Sequence, residues 1–160
     1  MSAAETSTNA ETSTNAETLT NAVPVPRTSV PGLTVTGDND FFFEAAKEGR
    51  LEIQRCVDCK TLRHPPAPAC PSCRSFSWDT VESTRRCTLH SFTVIHHPKD
   101  PAFEYPLAVG LVDLEEGTRL VADIAGIDHD DLAFGMELEV GFSEHAHGEI
   151  LPQLRRRGEA

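Results

Sequence analysis

Positive charge is scarce in this 160-residue chain: 14 Lys and Arg stand against 25 Asp and Glu, a formal net charge of −11. A protein that grips a phosphate backbone does so with Lys and Arg that displace counterions, so the balance disfavours a general nucleic-acid function. Aromatic residues make up only 6%, with one Trp and one Tyr, which leaves few surfaces for stacking unpaired bases. Long apolar runs are missing, and nothing approaches the roughly 20 apolar residues of a membrane-spanning helix. The N-terminal segment has no basic region followed by an apolar stretch, and it is acidic and Thr-rich where a mitochondrial presequence is Arg-rich. A cytoplasmic location is therefore expected. Common catalytic signatures are absent too: there is no G-x-S-x-G elbow, no Gly-rich phosphate loop and no H-E-x-x-H.

What the first residues contain is repetition. Residues 4–21 read AETSTN, AETSTN and AETLTN, with one large apolar residue, Leu19, and nothing periodic to bury. Such a segment cannot offset the entropy of ordering itself, and its period is far below that of solenoid repeats. The VPVPRTSVPG stretch that follows favours extended, polyproline-like chain. Residues 1–37 are thus predicted to be a disordered leader and Pro-rich linker.

Four of the five cysteines then fall within CVDCKTLRHPPAPACPSC, residues 56–73, as two C-x-x-C pairs ten residues apart. Each pair lets two thiolates on one tight turn face a common atom, so two turns brought together supply a tetrahedral site from Cys56, Cys59, Cys70 and Cys73. Disulfides do not suit a cytoplasmic chain with an odd fifth cysteine. A thioredoxin-like pair needs a helix after a strand, where Pro65, Pro66, Pro68 and Pro71 dictate turns. Zinc is the favoured metal, with rubredoxin-type iron the alternative of the same geometry. A shell filled by four cysteines leaves no open position for water or substrate, which makes the metal structural. His64 is read as a loop histidine and Cys87 as a small buried hydrophobe.

Upstream, residues 41–47 suit a helix that Asp38 or Asp40 could cap and Gly49 could end, followed by a strand through Leu51 and Ile53. Phe41, Phe42 and Phe43 span about 200° of that helix, too much for one small core. Either the helix is clamped between two parts of the chain, or one ring docks on a partner or on a ligand's apolar tail. Downstream, strands are predicted at 76–82, 87–96, 106–114, 118–125 and from Met136, with EILPQLRR a last edge strand and a short helical turn within IDHDDLAFG. A mainly β fold follows: helix and zinc ribbon over residues 38–82, then a small OB-fold barrel over 83–157. A ribbon of about 30 residues has too little core to fold without metal.

No second constellation is evident. His96 and His97 point to opposite faces of a strand end; His145 and His147 share a face near Glu144 and Glu149 but are read as solvated loop; His129 is placed in a polar loop. Arg85, Arg86, Lys99, Arg119 and Arg155–Arg157 are candidate cations for phosphates, each also an ordinary surface charge. No catalytic residue and no coenzyme-binding residue is assigned.

The order of FFFEAAKEGRLEIQRC, two cysteine pairs around RHPPAPAC, and a barrel with PLAVGLVDLEEGTRLVADI and GMELEVGF closely resembles the zinc-ribbon OB-fold proteins of domain-of-unknown-function family 35, over about residues 38–155. The resemblance implies a rubredoxin-like ribbon with structural zinc and an accessory role in coenzyme A ester metabolism. Relatives of this kind partner thiolase-superfamily enzymes. Examples are retro-aldolases that cleave a 3-hydroxyacyl-CoA in steroid side-chain degradation, and an archaeal bridge between a thiolase and a hydroxymethylglutaryl-CoA synthase; others are fused to hydratase-like chains. It thus implies a subunit not active alone that helps hold or pass on an acyl-CoA, in a hetero-oligomer that is either a 1:1 pair or a symmetric heterotetramer. A single-stranded nucleic-acid module is the alternative for a ribbon joined to an OB barrel, and a self-sufficient small hydrolase or metal enzyme is a third.

Overall fold

The computed structural model describes residues 32–100, 103–145 and 148–158, so the repeats of the leader lie outside the described residues. The first element is α1, Asp40–Lys47. Its buried residues Phe42, Ala45 and Ala46 follow the i, i+3, i+4 spacing that puts one face of a helix against a core. Neither expected acidic cap closes its start: Asn39 occupies the N-cap position without a side-chain bond to the helix, while Asp40 Oδ1 accepts from the adjacent Phe41 N–H at 2.7 Å. At its other end Gly49 takes φ +72°, the Gly49 N–H donates to Ala46 O at 3.0 Å, and the Arg50 N–H donates to Ala45 O at 2.9 Å. That pair of bonds satisfies carbonyls the last turn would leave orphaned, and glycine adopts the conformation without a Cβ penalty.

Three strands form the ribbon, β1 Glu52–Cys56, β2 Leu62–Arg63 and β3 Trp78–Glu82, antiparallel in the order β2-β1-β3. The barrel follows with β4 Arg86–Ile95, β5 Leu107–Leu114, β6 Arg119–Ile124, β7 Glu137–Glu144 and β8 Ile150–Arg156, closed in the order β4-β5-β6-β8-β7. A single 3-10 turn at His129–Asp131 precedes β7, its first N–H groups capped by Asp128, whose Oδ1 accepts from the Asp130 N–H at 3.0 Å. No described helix is long and apolar enough to cross a membrane.

Alternation sets the inside of the barrel. In β5 the inward positions are Ala108, Gly110, Val112 and Leu114, although the segment reads in sequence as nearly continuous apolar. In β4 a bulge at His90 shifts the register between Leu89 and Ser91. Inward residues accordingly move from Cys87 and Leu89 to Phe92 and Val94. Gly110 sits where a Cβ would lie 2.7 Å from Leu154 Cδ1, so any side chain there would force the Leu154 side chain to shift.

One expectation is overturned. Pro152 favours an edge position because it has no N–H to donate, yet β8 is the closing strand. It pairs antiparallel with β7 along its length and parallel with β6 at Asp123↔Gln153 and Ile124↔Leu154. The β6 pairing begins one residue beyond Pro152, so the missing donor costs no ladder bond on that side.

A single apolar core joins the parts: Phe42 of α1 and Leu51 and Ile53 of the ribbon pack with Leu89, Val112, Leu138 and Leu154 of the barrel. The connection at Ser83 and Thr84 is latched to the β5–β6 turn. There the Ser83 hydroxyl and the Thr84 N–H both donate to Glu116, at 2.9 and 2.7 Å.

Candidate functional site

The cysteines are positioned by two matching turns. In the first, the Cys56 N–H donates to Thr61 O at 2.9 Å and the Lys60 N–H to Cys56 O at 3.0 Å; in the second, Cys70 donates to Ser75 O at 2.8 Å and Arg74 to Cys70 O at 2.9 Å. Lys60 and Arg74 hold equivalent places with φ 62° and 63°. The same backbone geometry twice over turns both thiols of each pair outward, and the two turns face each other. Cys56 and Cys73 sulfurs lie 3.5 Å apart, as do those of Cys59 and Cys70, and all four lie within 4.8 Å of one another. A zinc ion with Zn–S bonds of about 2.3 Å needs sulfurs about 3.8 Å apart at the corners of a tetrahedron, so the donor set fits such an ion in number, chemistry and spacing.

Electrostatics agree. Hydrogen bonding with Thr61, first through its side chain and then its backbone, brings the Cys59 thiol down to about 6. Against the pull of the Ser75 backbone N–H, the sulfurs of Cys59 and Cys56 push Cys73 up to about 12. Four thiols this close resist becoming four anions, and a divalent cation removes that resistance. His64 is not among the donors.

Away from the metal-type cluster, α1, the ribbon and the barrel line a half-open cavity of about 530 Å³, within the roughly 300–1,000 Å³ usual for small-molecule sites. Phe42 and Phe43 of α1, His64 of the ribbon, and Val109, Leu120 and Leu151 of the barrel form its apolar walls; Asp100, Asp123, His145 and Glu149 are its polar residues. Its walls account for two of the three phenylalanines. Phe42 is buried and meets Phe43 edge-on at 5.4 Å and His64 at 5.1 Å, while Phe41 packs on Trp78 at 5.0 Å. The helix is therefore clamped between ribbon and barrel and also walls a cavity. Burial brings the His64 imidazole down to about 4, so it faces the cavity as a neutral ring. The Asp123 carboxylate accepts from Gln153 Nε2 at 2.7 Å.

Sequence reasoning missed this site because its walls come from residues more than a hundred positions apart. His145, expected in a solvated loop, is half-buried on the wall, whereas its expected companion His147 lies outside the described residues. His96 and His97 are exposed and make no joint site; His96 instead meets His129 edge-on at 6.5 Å. Cys87 is buried, and desolvation pushes its thiol up to about 12. Most candidate phosphate-binding cations are taken by the chain's own carboxylates: Arg119 pairs with Asp113, Arg155 with Glu139, Arg156 with Asp131, Arg157 with Glu137 and Arg86 with Glu115.

Comparison with known proteins gives these parts a context. A family model described as the ChsH2 rubredoxin-like zinc ribbon domain matches residues 43–79, and one described as the ChsH2 C-terminal OB-fold domain matches residues 80–143. A probable enoyl-CoA hydratase alpha subunit of Thermomonospora curvata is 49% identical over 81% of this chain and 41% of its own length. The 3-oxo-4,17-pregnadiene-20-carboxyl-CoA hydratase alpha subunit of Mycobacterium tuberculosis is 39% identical over 66% of this chain and 33% of its own. The chain thus spans less than half the length of either relative. Among solved structures, a chain of the Ltp2-ChsH2(DUF35) aldolase superposes with a TM-score of 0.74 at 50% identity, over 78% of this chain and 98% of that one.

Proposed function

Because the chain belongs to the DUF35 family of zinc-ribbon and OB-fold proteins, we propose that it is a non-catalytic or co-catalytic accessory subunit. It binds a thiolase-superfamily aldolase or acyltransferase in a hetero-oligomer and holds the acyl part of an acyl-CoA. The process proposed is steroid side-chain degradation, by retro-aldol cleavage of a 3-hydroxyacyl-CoA in the cytoplasm. The observation that carries this reading is the match, at 50% identity, to nearly the whole of a chain from an aldolase assembly.

Each part has a physical task. Cys56, Cys59, Cys70 and Cys73 hold a zinc ion, which supplies no chemistry beyond tying the two turns together, since all its positions are filled by sulfur. The ribbon, residues 38–82, presents the outer surface of α1, and the barrel, residues 83–157, supplies the opposite wall of the cavity. An acyl group seated between Phe42, Phe43 and Leu151 is kept from water while the partner's residues act on the bond that breaks. Among the described residues Ser143 Oγ lies 3.4 Å from His145 Nε2, beyond the roughly 2.6–3.2 Å of an activated nucleophile–base pair, and the bond-breaking chemistry is assigned to the partner.

Co-expression with thiolase-superfamily proteins encoded beside this chain tests the reading. The expected outcome is co-elution on size exclusion and a gain in retro-aldol turnover of a branched 3-hydroxyacyl-CoA over the partner alone. A partner that neither co-elutes nor gains solubility or activity removes it.

A further inference from the structure

The residues that line the helix–barrel cavity include three carboxylates, Asp100, Asp123 and Glu149, and among the described lining residues there is no Lys or Arg. Polar groups on an apolar wall fix which ligands can enter, because each must be satisfied by something once water leaves. Asp123 already has a donor in Gln153. Glu149 differs: its Oε2 is covered by protein and receives no hydrogen bond. An acceptor left in that condition loses the solvation it had in the unfolded chain and regains nothing. The terminal torsion of a Glu side chain is broad and roughly two-fold, so a small rotation offers this oxygen to a donor in the cavity. The neutral His64 ring, also on the wall, adds no positive charge.

Resting on the reading of this cavity as the seat of the acyl group, we propose that it selects an uncharged apolar group carrying a hydrogen-bond donor, with Glu149 as the acceptor, and turns away anions. The selection follows from charge as much as from the hydrogen bond. An entering carboxylate or phosphate meets the like charges of Asp123 and Glu149 in a partly dry space whose described lining holds no Lys or Arg. The cavity therefore admits the neutral end of a coenzyme A ester and leaves its phosphates outside. Glu149 acts as a specificity-determining residue that touches the ligand without taking part in bond breaking.

Three probes of one fused-ring skeleton test this with the full 160-residue, zinc-loaded chain: decalin, 2-decalol and decalin-2-carboxylate, titrated at pH 7.5 and followed by amide chemical shifts. The carboxylate is expected to bind at least about tenfold more weakly than the alcohol. Glu149→Leu is expected to weaken 2-decalol about tenfold while leaving decalin unchanged or tighter. Glu149→Gln, which keeps a neutral acceptor and disturbs packing least, is expected to retain the alcohol and narrow the gap to the carboxylate. Equal binding of alcohol and carboxylate to the unaltered chain overturns the proposal, as does a Glu149→Leu change that moves alcohol and decalin alike. Decalin binding without discrimination defeats the selection and spares the cavity; binding of none of the three defeats both.

Discussion

Every strand of the barrel has two neighbours and inward positions that are almost wholly aliphatic, whereas the ribbon's three strands leave two open edges and bury Gln54 and Arg63. The apolar residues the ribbon does bury, Leu51 and Ile53, belong to the core it shares with the barrel. Its far end has four sulfurs and little else inside. Arg63 donates through Nε to Gln54 Oε1 at 2.7 Å, yet both its terminal nitrogens are buried without a partner. Such an arrangement is costly, and a region that tolerates it is held by something other than apolar burial. The contrast teaches that closure and core make the barrel self-supporting, while the ribbon depends on its metal and on leaning against the barrel.

Removing the metal should break that contrast most completely. Structural zinc in small peptides contributes roughly 10–16 kcal/mol of apparent binding free energy, as large as a typical domain's whole stability of about 5–15 kcal/mol. Chelation, or Cys59→Ser or Cys70→Ser, is expected to unfold the ribbon and abolish partner binding while barrel amides stay protected from hydrogen exchange. Unchanged zinc stoichiometry in either variant would falsify the four-cysteine assignment. On the barrel side, Leu154→Ala empties a fully buried site on the closing strand and should cost about 2–5 kcal/mol in urea unfolding, with zinc content unaffected.

His64 stands where the two regions meet, and its effect is smaller. Its folded value of about 4 lies below the ordinary 6.5, so the unfolded chain takes up a proton that the folded chain refuses. The stabilising contribution is complete above pH 6.5 and is lost as pH falls toward 4, by roughly 3 kcal/mol in all. His64→Phe should flatten that slope between pH 6.5 and 5; an unchanged slope would show the ring to be open to solvent. Smallest of all is the exposed cluster on the barrel's outer face, where Arg119 and His90 both meet Asp113, at 2.7 and 2.9 Å. These contacts, Arg119 first, hold the Asp113 carboxyl below the usual range, but solvent screens them. Arg119→Ala should leave the urea midpoint unmoved within error.

What could be read in the sequence were features whose cause is local. The C-x-x-C spacing carries its own turn geometry, Gly49 its own helix end, and the alternation in β6 and β7 its own inside and outside, while in β4 the bulge at His90 breaks the simple alternation. What could not be read depends on residues far apart. The closing role of β8 is decided by its register against β6, which the presence of Pro152 obscures. The cavity exists because residues 42, 64, 109, 120 and 151 converge, and no spacing rule joins them. His145 belongs to that cavity for the same reason.

The β6–β8 junction carries a last consequence. Only two residue pairs, one further backbone bond from the Ala125 N–H to Leu154 O at 2.9 Å, and the Gln153–Asp123 side-chain bond span it. The β4–β5 and β7–β8 ladders are several times longer. A hoop yields at its thinnest joint, and here the joint borders the cavity, with Leu120 to Asp123 on one side and Leu151 and Pro152 on the other. The barrel is thus most sparsely laced along the line that also forms one wall of its cavity.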